Sequence, residues 1–238
     1  MPNQSISKFV IIVAGGQGTR FNNHLPKQFH NLKGKPVVIQ TIFKFIKADS
    51  DFKIVLVTNP DYINYTKALL TEYKLVDKIL CISGGKERFD SVKIGLHYIK
   101  NNFEIESLNN SVVAIHDAVR PIISTKLINF LFNEAEVYSS SIPYIKSNQS
   151  MRIRLDVEEN SFTTVNREDF IFIQTPQVFE FNNLIMAYNQ LEFSPELTDD
   201  ASVYEKGGFK LQFVPGEPNN IKLTTKEDLD VAESLFKL

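Results

Sequence analysis

Phe9 to Ala14 is an unbroken apolar run that stops at Gly15-Gly16. A strand apolar on both faces has to be buried on both faces, which is the position of a central parallel strand rather than a solvent-facing antiparallel one. Parallel neighbours need long crossover connections, and helices usually supply them. The first half of the chain has that rhythm. Lys53 to Thr58, Lys78 to Ile82 and Ser111 to Ile115 are further short apolar runs. Val37 to Ile46, Asp61 to Tyr73, Arg88 to Ile99 and Thr125 to Tyr138 carry helical spacing and alternate with them. The pattern predicts an α/β fold built on a mostly parallel twisted sheet with helices on both faces.

The rhythm changes after Tyr138. Ser140 to Ile145, Met151 to Val157 and Phe162 to Val165 are short and partly alternating, with Glu158-Glu159-Asn160 as a turn. They are too polar for central strands and read as a β-arm over residues 140–168, projecting from one domain that spans 1–238. An arm that cannot bury itself alone packs on a partner, so a homodimer is expected. The sheet resumes at Phe170 to Gln174, followed by helices over Glu180 to Leu191 and Asp200 to Lys206. Gly207-Gly208 stops the second of these, and Lys210 to Val214 reads as a strand. Thr225-Lys226-Glu227-Asp228 places a hydroxyl at the N-cap of the last helix and acids in its first turn.

Bulk properties exclude several classes. Lys and Arg number 26 against 28 Asp and Glu, for a net charge of −2. A large nucleic-acid surface needs a basic excess, so no nucleic-acid partner is expected. Cys81 is the single cysteine and sits in an apolar strand pattern, which predicts a buried residue rather than a nucleophile. One cysteine permits no internal disulfide, which suits a reducing compartment. The N-terminus lacks the basic start and apolar stretch of a leader, and no run approaches a membrane span. A cytoplasmic protein with no membrane association is the expectation.

The chemistry concentrates first in Ala14-Gly15-Gly16-Gln17-Gly18-Thr19-Arg20. Glycines this dense let backbone N–H groups converge on one concavity, which suits a phosphate. No Lys-Ser/Thr pair follows, so this is not a P-loop. Arg20 and Lys27 instead place two cations on a loop leaving the carboxyl edge of the sheet, where α/β proteins bind ligands.

Together with Leu25-Pro26-Lys27-Gln28-Phe29, this loop resembles the nucleotide-binding signature of one cytidylyltransferase family. That family contains the methylerythritol-phosphate and ribitol-phosphate enzymes. Later stretches resemble it in order: Gly84 to Val92, His116 to Pro121, Gln174 to Phe179, Thr198 to Ser202 and Asn220 to Thr224. The likeness covers about Val10 to Glu233. It implies a Rossmann-like nucleotidyltransferase fold of the GT-A type, with CTP and a sugar- or polyol-phosphate as substrates.

The resemblance also implies roles. Arg20, Lys27 and Lys222 surround the triphosphate, where cations stabilise charge building on the leaving pyrophosphate. Asp117 holds Mg²⁺. Ala14, Gly15, Gly16 and Gly18 cradle the nucleotide, and Gly84, Gly85 and Ser91 lie near the cytosine. Arg120, Ser150, Arg167 and Thr175 face the sugar-phosphate, with Arg167 reaching from a partner's arm. Arg88 and Asp90 read as structural. No general base is required, because the nucleophile is a phosphate oxygen that is mostly ionised at neutral pH.

One departure stands in the arm. The family carries an acid before Thr or Ser there, whereas this chain has Asn148-Gln149-Ser150-Met151-Arg152. The motifs around Gln174 to Phe179 and Asp199 to Ser202 favour the methylerythritol-phosphate acceptor. D-ribitol 5-phosphate is the alternative, and a non-catalytic nucleotide-binding protein is the reading of a different class.

Overall fold

The computed structural model describes residues 6–16, 25–156, 158 and 160–236. In chain order its strands and helices are β1 (Ser7–Ala14), β2 (Asn31–Leu32), β3 (Lys35–Pro36), α1 (Val37–Ala48), β4 (Lys53–Thr58), α2 (Ile63–Glu72), β5 (Ile79–Ser83), α3 (Arg88–Asn102), α4 (Ile105–Asn109), β6 (Ser111–Asp117), α5 (Thr125–Tyr138), β7 (Ser140–Lys146), β8 (Met151–Asp156), β9 (Ser161–Val165), β10 (Ile171–Ile173), β11 (Gln177–Glu180), α6 (Phe181–Gln190), α7 (Asp200–Lys206), β12 (Phe213–Pro215) and α8 (Lys226–Leu235).

The main sheet runs β10-β7-β11-β6-β1-β4-β5, with β12 on β7. β1 pairs in parallel with β4 and β6, and β4 with β5. β11 is antiparallel to both β6 and β7. The chain winds one way from β1 to β4 and β5, and the other way to β6. The crevice outside the carboxyl ends of β1 and β6 is therefore the topological switch point where such sheets bind ligands.

Alternation along the strands builds two cores. Val10 and Ile12 of β1 join Ile54, Leu56, Val112 and Ala114 under α1 and α5. Phe9 and Ile11 point the other way, joining Val55, Val57, Val113 and Ile115 under α3 and α6. Burial on both faces is what the unbroken apolar run demanded. A third, smaller cluster of Leu32, Val37, Val119, Leu223 and Ala232 seats α8. At the C-terminal end of α7, Gly208 takes φ +90°, a left-handed conformation that glycine adopts without strain.

The arm is shorter than its sequence suggests. β8 and β9 pair only with each other, as a separate two-stranded sheet, but β7 belongs to the main sheet and its first four residues are buried. Polar Ser140 is accommodated there because its hydroxyl bonds to a remote segment, donating to the Lys210 carbonyl at 3.1 Å and accepting from the Gln212 N–H at 3.0 Å. Central strand β11 was not expected. It and β10 pair with β7 in registers that differ by two residues, so they are two parts of one strand interrupted around Thr175-Pro176. The strand expected over Lys210 to Val214 is confined to β12; Val157, the end of an expected strand, and Glu159, in the expected turn, lie outside the described residues. Cys81 is partly buried in β5, and burial pushes its thiol up to about 11, which leaves little thiolate at neutral pH.

The two-faced core gives a direct test. Ile115, fully buried in β6, is at the centre of the sheet. Ile115→Ala is expected to cost about 2–5 kcal/mol, read as a lowered urea midpoint with an unchanged denaturant slope.

Candidate active site

A cavity of about 790 Å³ opens at the carboxyl ends of β1, β4, β5 and β6. Its inner wall is the Ala14-Gly15-Gly16 turn. Gln28, only 1 % exposed, pins this turn by donating from Nε2 to the carbonyls of Ala14 at 2.8 Å and Gly16 at 3.1 Å. With those carbonyls occupied, the turn is held in place against the cavity. Lys27, next to Gln28, also lines it.

The opposite wall is the link from β5 into α3. A capping box between Glu87 and Asp90 fixes the start of α3, satisfying N–H groups that a helix end leaves orphaned. Ser91 Oγ accepts from the Gly85 N–H at 3.2 Å and donates to the Glu87 carbonyl at 3.1 Å. A Cβ on Gly84 would lie 2.6 Å from Ser91 Oγ, and one on Gly85 would collide with the Asp90 Cβ. Both glycines are needed for this close approach, which leaves a wall of bare backbone. Flat heteroaromatic rings fit against such walls.

Between the walls, at the end of β6, lies Asp117. Lys222 Nζ is 2.9 Å from its Oδ2, Arg88 Nε is 3.4 Å from Oδ1 and Arg120 Nε is 3.6 Å from Oδ2. Burial alone would push this carboxyl up, but Arg88, Lys222 and Arg120 outweigh it and hold it well below the usual carboxylate range. The group is a permanent anion amid cations, suited to charge organisation and not to proton transfer.

Beneath it runs a buried chain of hydrogen bonds. The Asp117 N–H donates to Thr175 Oγ1 at 3.1 Å, Thr175 Oγ1 lies 3.1 Å from His116 Nδ1, and His116 Nε2 lies 3.3 Å from the Arg120 carbonyl. A carbonyl can only accept, so Nε2 carries the ring proton and Nδ1 accepts from the threonine hydroxyl. Both ring nitrogens are used by a neutral imidazole. Burial accordingly lowers His116 to about 3.

The expected residues divide into four groups. Ala14, Gly15, Gly16, Lys27, Gly84, Gly85, Ser91, Asp117 and Lys222 meet at the cavity. Arg120 and Thr175 lie behind Asp117, 9 % and 5 % exposed. The Thr175 hydroxyl proton is committed to His116, so it is not presented to the cavity as a donor. Ser150 and Arg167 are exposed in the arm, where Arg167 Nη1 donates to the Asn148 carbonyl at 3.2 Å, and they do not line the cavity. Gly18 and Arg20 lie outside the described residues.

Two roles escaped sequence reasoning. Gln28 was visible only as a neighbour of Lys27. Arg88, read as structural, faces the cavity, and its Nη1 and Nη2 donate to Asp200 at 3.0 and 2.6 Å. Its position between Gly85 and Ser91 was the available signal, but its distant partner was not legible.

The family model for 2-C-methyl-D-erythritol 4-phosphate cytidylyltransferase (IspD) matches residues 8–237. The protein of that name from Azobacteroides pseudotrichonymphae is 40% identical over 96% of this chain and 98% of its own. Its namesake from Bacteroides fragilis is 40% identical over 95% and 98%. The crystal structure of the Francisella tularensis protein of the same name is 29% identical, covers 97% of this chain and 100% of its own, and superposes with a TM-score of 0.76.

The buried imidazole has a measurable consequence. In the unfolded chain His116 regains its ordinary value near 6.5, while the native ring stays neutral to about 3. Below pH 6.5 the unfolded state therefore binds a proton that the native state refuses, and stability falls as pH falls. Between pH 6 and 5, above the ordinary carboxylate range, the loss approaches about 1.4 kcal/mol per pH unit. Urea titrations of wild type and His116→Gln across that window should show the slope in the former and its loss in the latter.

Proposed function

This chain belongs to the 2-C-methyl-D-erythritol 4-phosphate cytidylyltransferase family, and from that membership we propose how its residues divide the reaction. It transfers a cytidylyl group from CTP to 2-C-methyl-D-erythritol 4-phosphate, yielding 4-diphosphocytidyl-2-C-methyl-D-erythritol and pyrophosphate for isoprenoid synthesis. The observation that carries the residue assignment is the position of Asp117 and Lys222, side by side at the mouth between a glycine turn and a backbone wall.

The acceptor's phosphate oxygen attacks the α-phosphorus of CTP. One P–O bond forms to that oxygen as the bond to the bridging oxygen breaks, and the electron pair leaves with pyrophosphate. The nucleophile is mostly a dianion at neutral pH, so no residue has to remove a proton. Holding two anions in line and absorbing charge on the leaving group are the tasks that remain. Ala14, Gly15 and Gly16, with Gly18 of the same loop, turn N–H groups toward the triphosphate, and Gly84, Gly85 and Ser91 form the wall for the cytosine. Lys27 and Lys222, joined by Arg20, neutralise the phosphates. When CTP enters, Lys222 exchanges part of its contact with Asp117 for the phosphates.

The divalent cation is Mg²⁺. Among the described residues no group of three or more His, Cys, Asp or Glu could hold a metal alone. A single carboxylate beside a triphosphate pocket fits this ion, which binds through one or two carboxylates plus substrate phosphates. Asp117 would hold it, and the bound ion would offset charge on the phosphates. Arg120 serves the acceptor phosphate. Its buried Nε stands 3.6 Å from Asp117 Oδ2, an ion-pair distance longer than a hydrogen bond, so part of its charge faces the side of Asp117. Thr175 serves the same side by fixing His116 and the Asp117 backbone.

Ser150 and Arg167 complete the acceptor site from a second copy of the chain. Ile153, Leu155 and Phe162 of β8 and β9 are 50, 67 and 45 % exposed, an apolar surface that dimerisation through the arm would cover. Among the described residues no helix is long and apolar enough to cross a membrane, and the substrates are small water-soluble anions. Both support a cytoplasmic enzyme.

Pyrophosphate release with CTP and Mg²⁺ tests the acceptor: 2-C-methyl-D-erythritol 4-phosphate should be turned over in strong preference to D-ribitol 5-phosphate, and the reverse preference would overturn the assignment. Lys27→Ala should lower kcat about a hundredfold or more with an unchanged circular dichroism spectrum. Arg167→Ala should raise the acceptor's KM well beyond any change in that of CTP, and Leu155→Asp should convert a dimer to monomers in sedimentation velocity.

A further inference from the structure

Arg88 is the first residue of α3 and faces the cavity, yet its fork is turned away from Asp117. Nη1 and Nη2 donate to the two oxygens of Asp200 at 3.0 and 2.6 Å, leaving only Nε near Asp117, at 3.4 Å. Asp200 opens α7, is fully buried, and accepts a third bond from the Tyr188 hydroxyl at 2.7 Å. It does not line the cavity.

A guanidinium binds a carboxylate best through two parallel N–H bonds. Without a rival, Arg88 would turn that fork onto Asp117, which already faces Lys222 and Arg120. Two N–H bonds from that fork, in place of the single long contact from Nε, would occupy the carboxylate oxygens that a divalent cation needs. We propose that Asp200 is a positioning residue that occupies the fork of Arg88 and so keeps the Asp117 carboxylate available to the divalent cation. The inference rests on the reading of Asp117 as the ligand of that cation. A buried ion pair is a poor source of stability compared with apolar packing of the same volume. Its place one residue from the active-site wall is accounted for by what it does to Asp117.

The test is Mn²⁺ binding, followed by electron paramagnetic resonance on the full chain with CTP present and acceptor absent. Asp200→Asn keeps the shape but releases the fork, and should weaken Mn²⁺ binding about tenfold. The double variant Asp200→Asn/Arg88→Gln removes the competing cation as well and should return to within about twofold of wild type. Unchanged binding in Asp200→Asn, or a double variant as weak as the single one, overturns the proposal. If the single variant does not fold, the double variant, which buries neither charge, decides alone: wild-type affinity sustains the proposal and a tenfold loss overturns it. Asp117→Asn separates the two readings. It should abolish binding, and wild-type binding there would remove Asp117 from the cation site and the proposal with it.

Discussion

A buried carboxylate ringed by cations is the constraint on which the rest of this site depends. Asp117 is 6 % exposed, and an isolated charge at that depth would neutralise itself by taking a proton. Arg88, Arg120 and Lys222 prevent this. Each comes from a different part of the chain: the start of α3, the loop after β6, and the segment before α8. The sheet brings them together by ending β1 and β6 at the same rim, where Val13 and Asp117 are partners and the Ala118 N–H donates to the Val13 carbonyl at 3.0 Å.

Order around this centre is maintained by groups that touch no cavity surface. Asn220 Nδ2 donates to the Thr175 carbonyl at 2.9 Å, while the Asn220 carbonyl accepts from Arg120 Nη1 at 2.8 Å. Thr175 in turn receives the Asp117 N–H. Three segments that are remote in sequence are thus tied by directional bonds in a region from which water is largely excluded, where each bond is stronger and each unmade bond more costly. The glycine turn is fixed by Gln28, which is itself part of the cavity lining. The site is built mainly of backbone held by buried side chains, and its charged groups are placed upon that frame.

Much of this was legible in the sequence, for identifiable reasons. The unbroken run from Phe9 to Ala14 demanded a buried parallel strand, and the N-cap hydroxyl and first-turn acids at Thr225 marked the last helix, where the structure adds a capping box with Asp228. The glycines at 15 and 16 marked a backbone concavity through their density after a strand, whereas Gly84 and Gly85 alone read as a turn and only the resemblance placed them near a base. What failed was local in origin. Ser140 looked solvent-facing because sequence does not reveal that its hydroxyl has backbone partners in another segment, at Lys210 and Gln212. β11 was hidden because only four residues follow Pro176 before α6 begins. Arg88 was undervalued for a related reason: its meaning resides in Asp200 and Asp117, neither of which is near it in the chain.

The dispersal of the Asp117 partners has a consequence for biogenesis. The sheet and both main cores draw on residues up to β12, whereas Lys222 lies in the final stretch before α8. During synthesis from the N-terminus, a chain can acquire most of its sheet before it owns the last of the cations that ring Asp117. Ligand binding stabilises only states that contain the finished site. A ligand that depends on all three cations would therefore stabilise the completed polypeptide and not one that ends before Lys222.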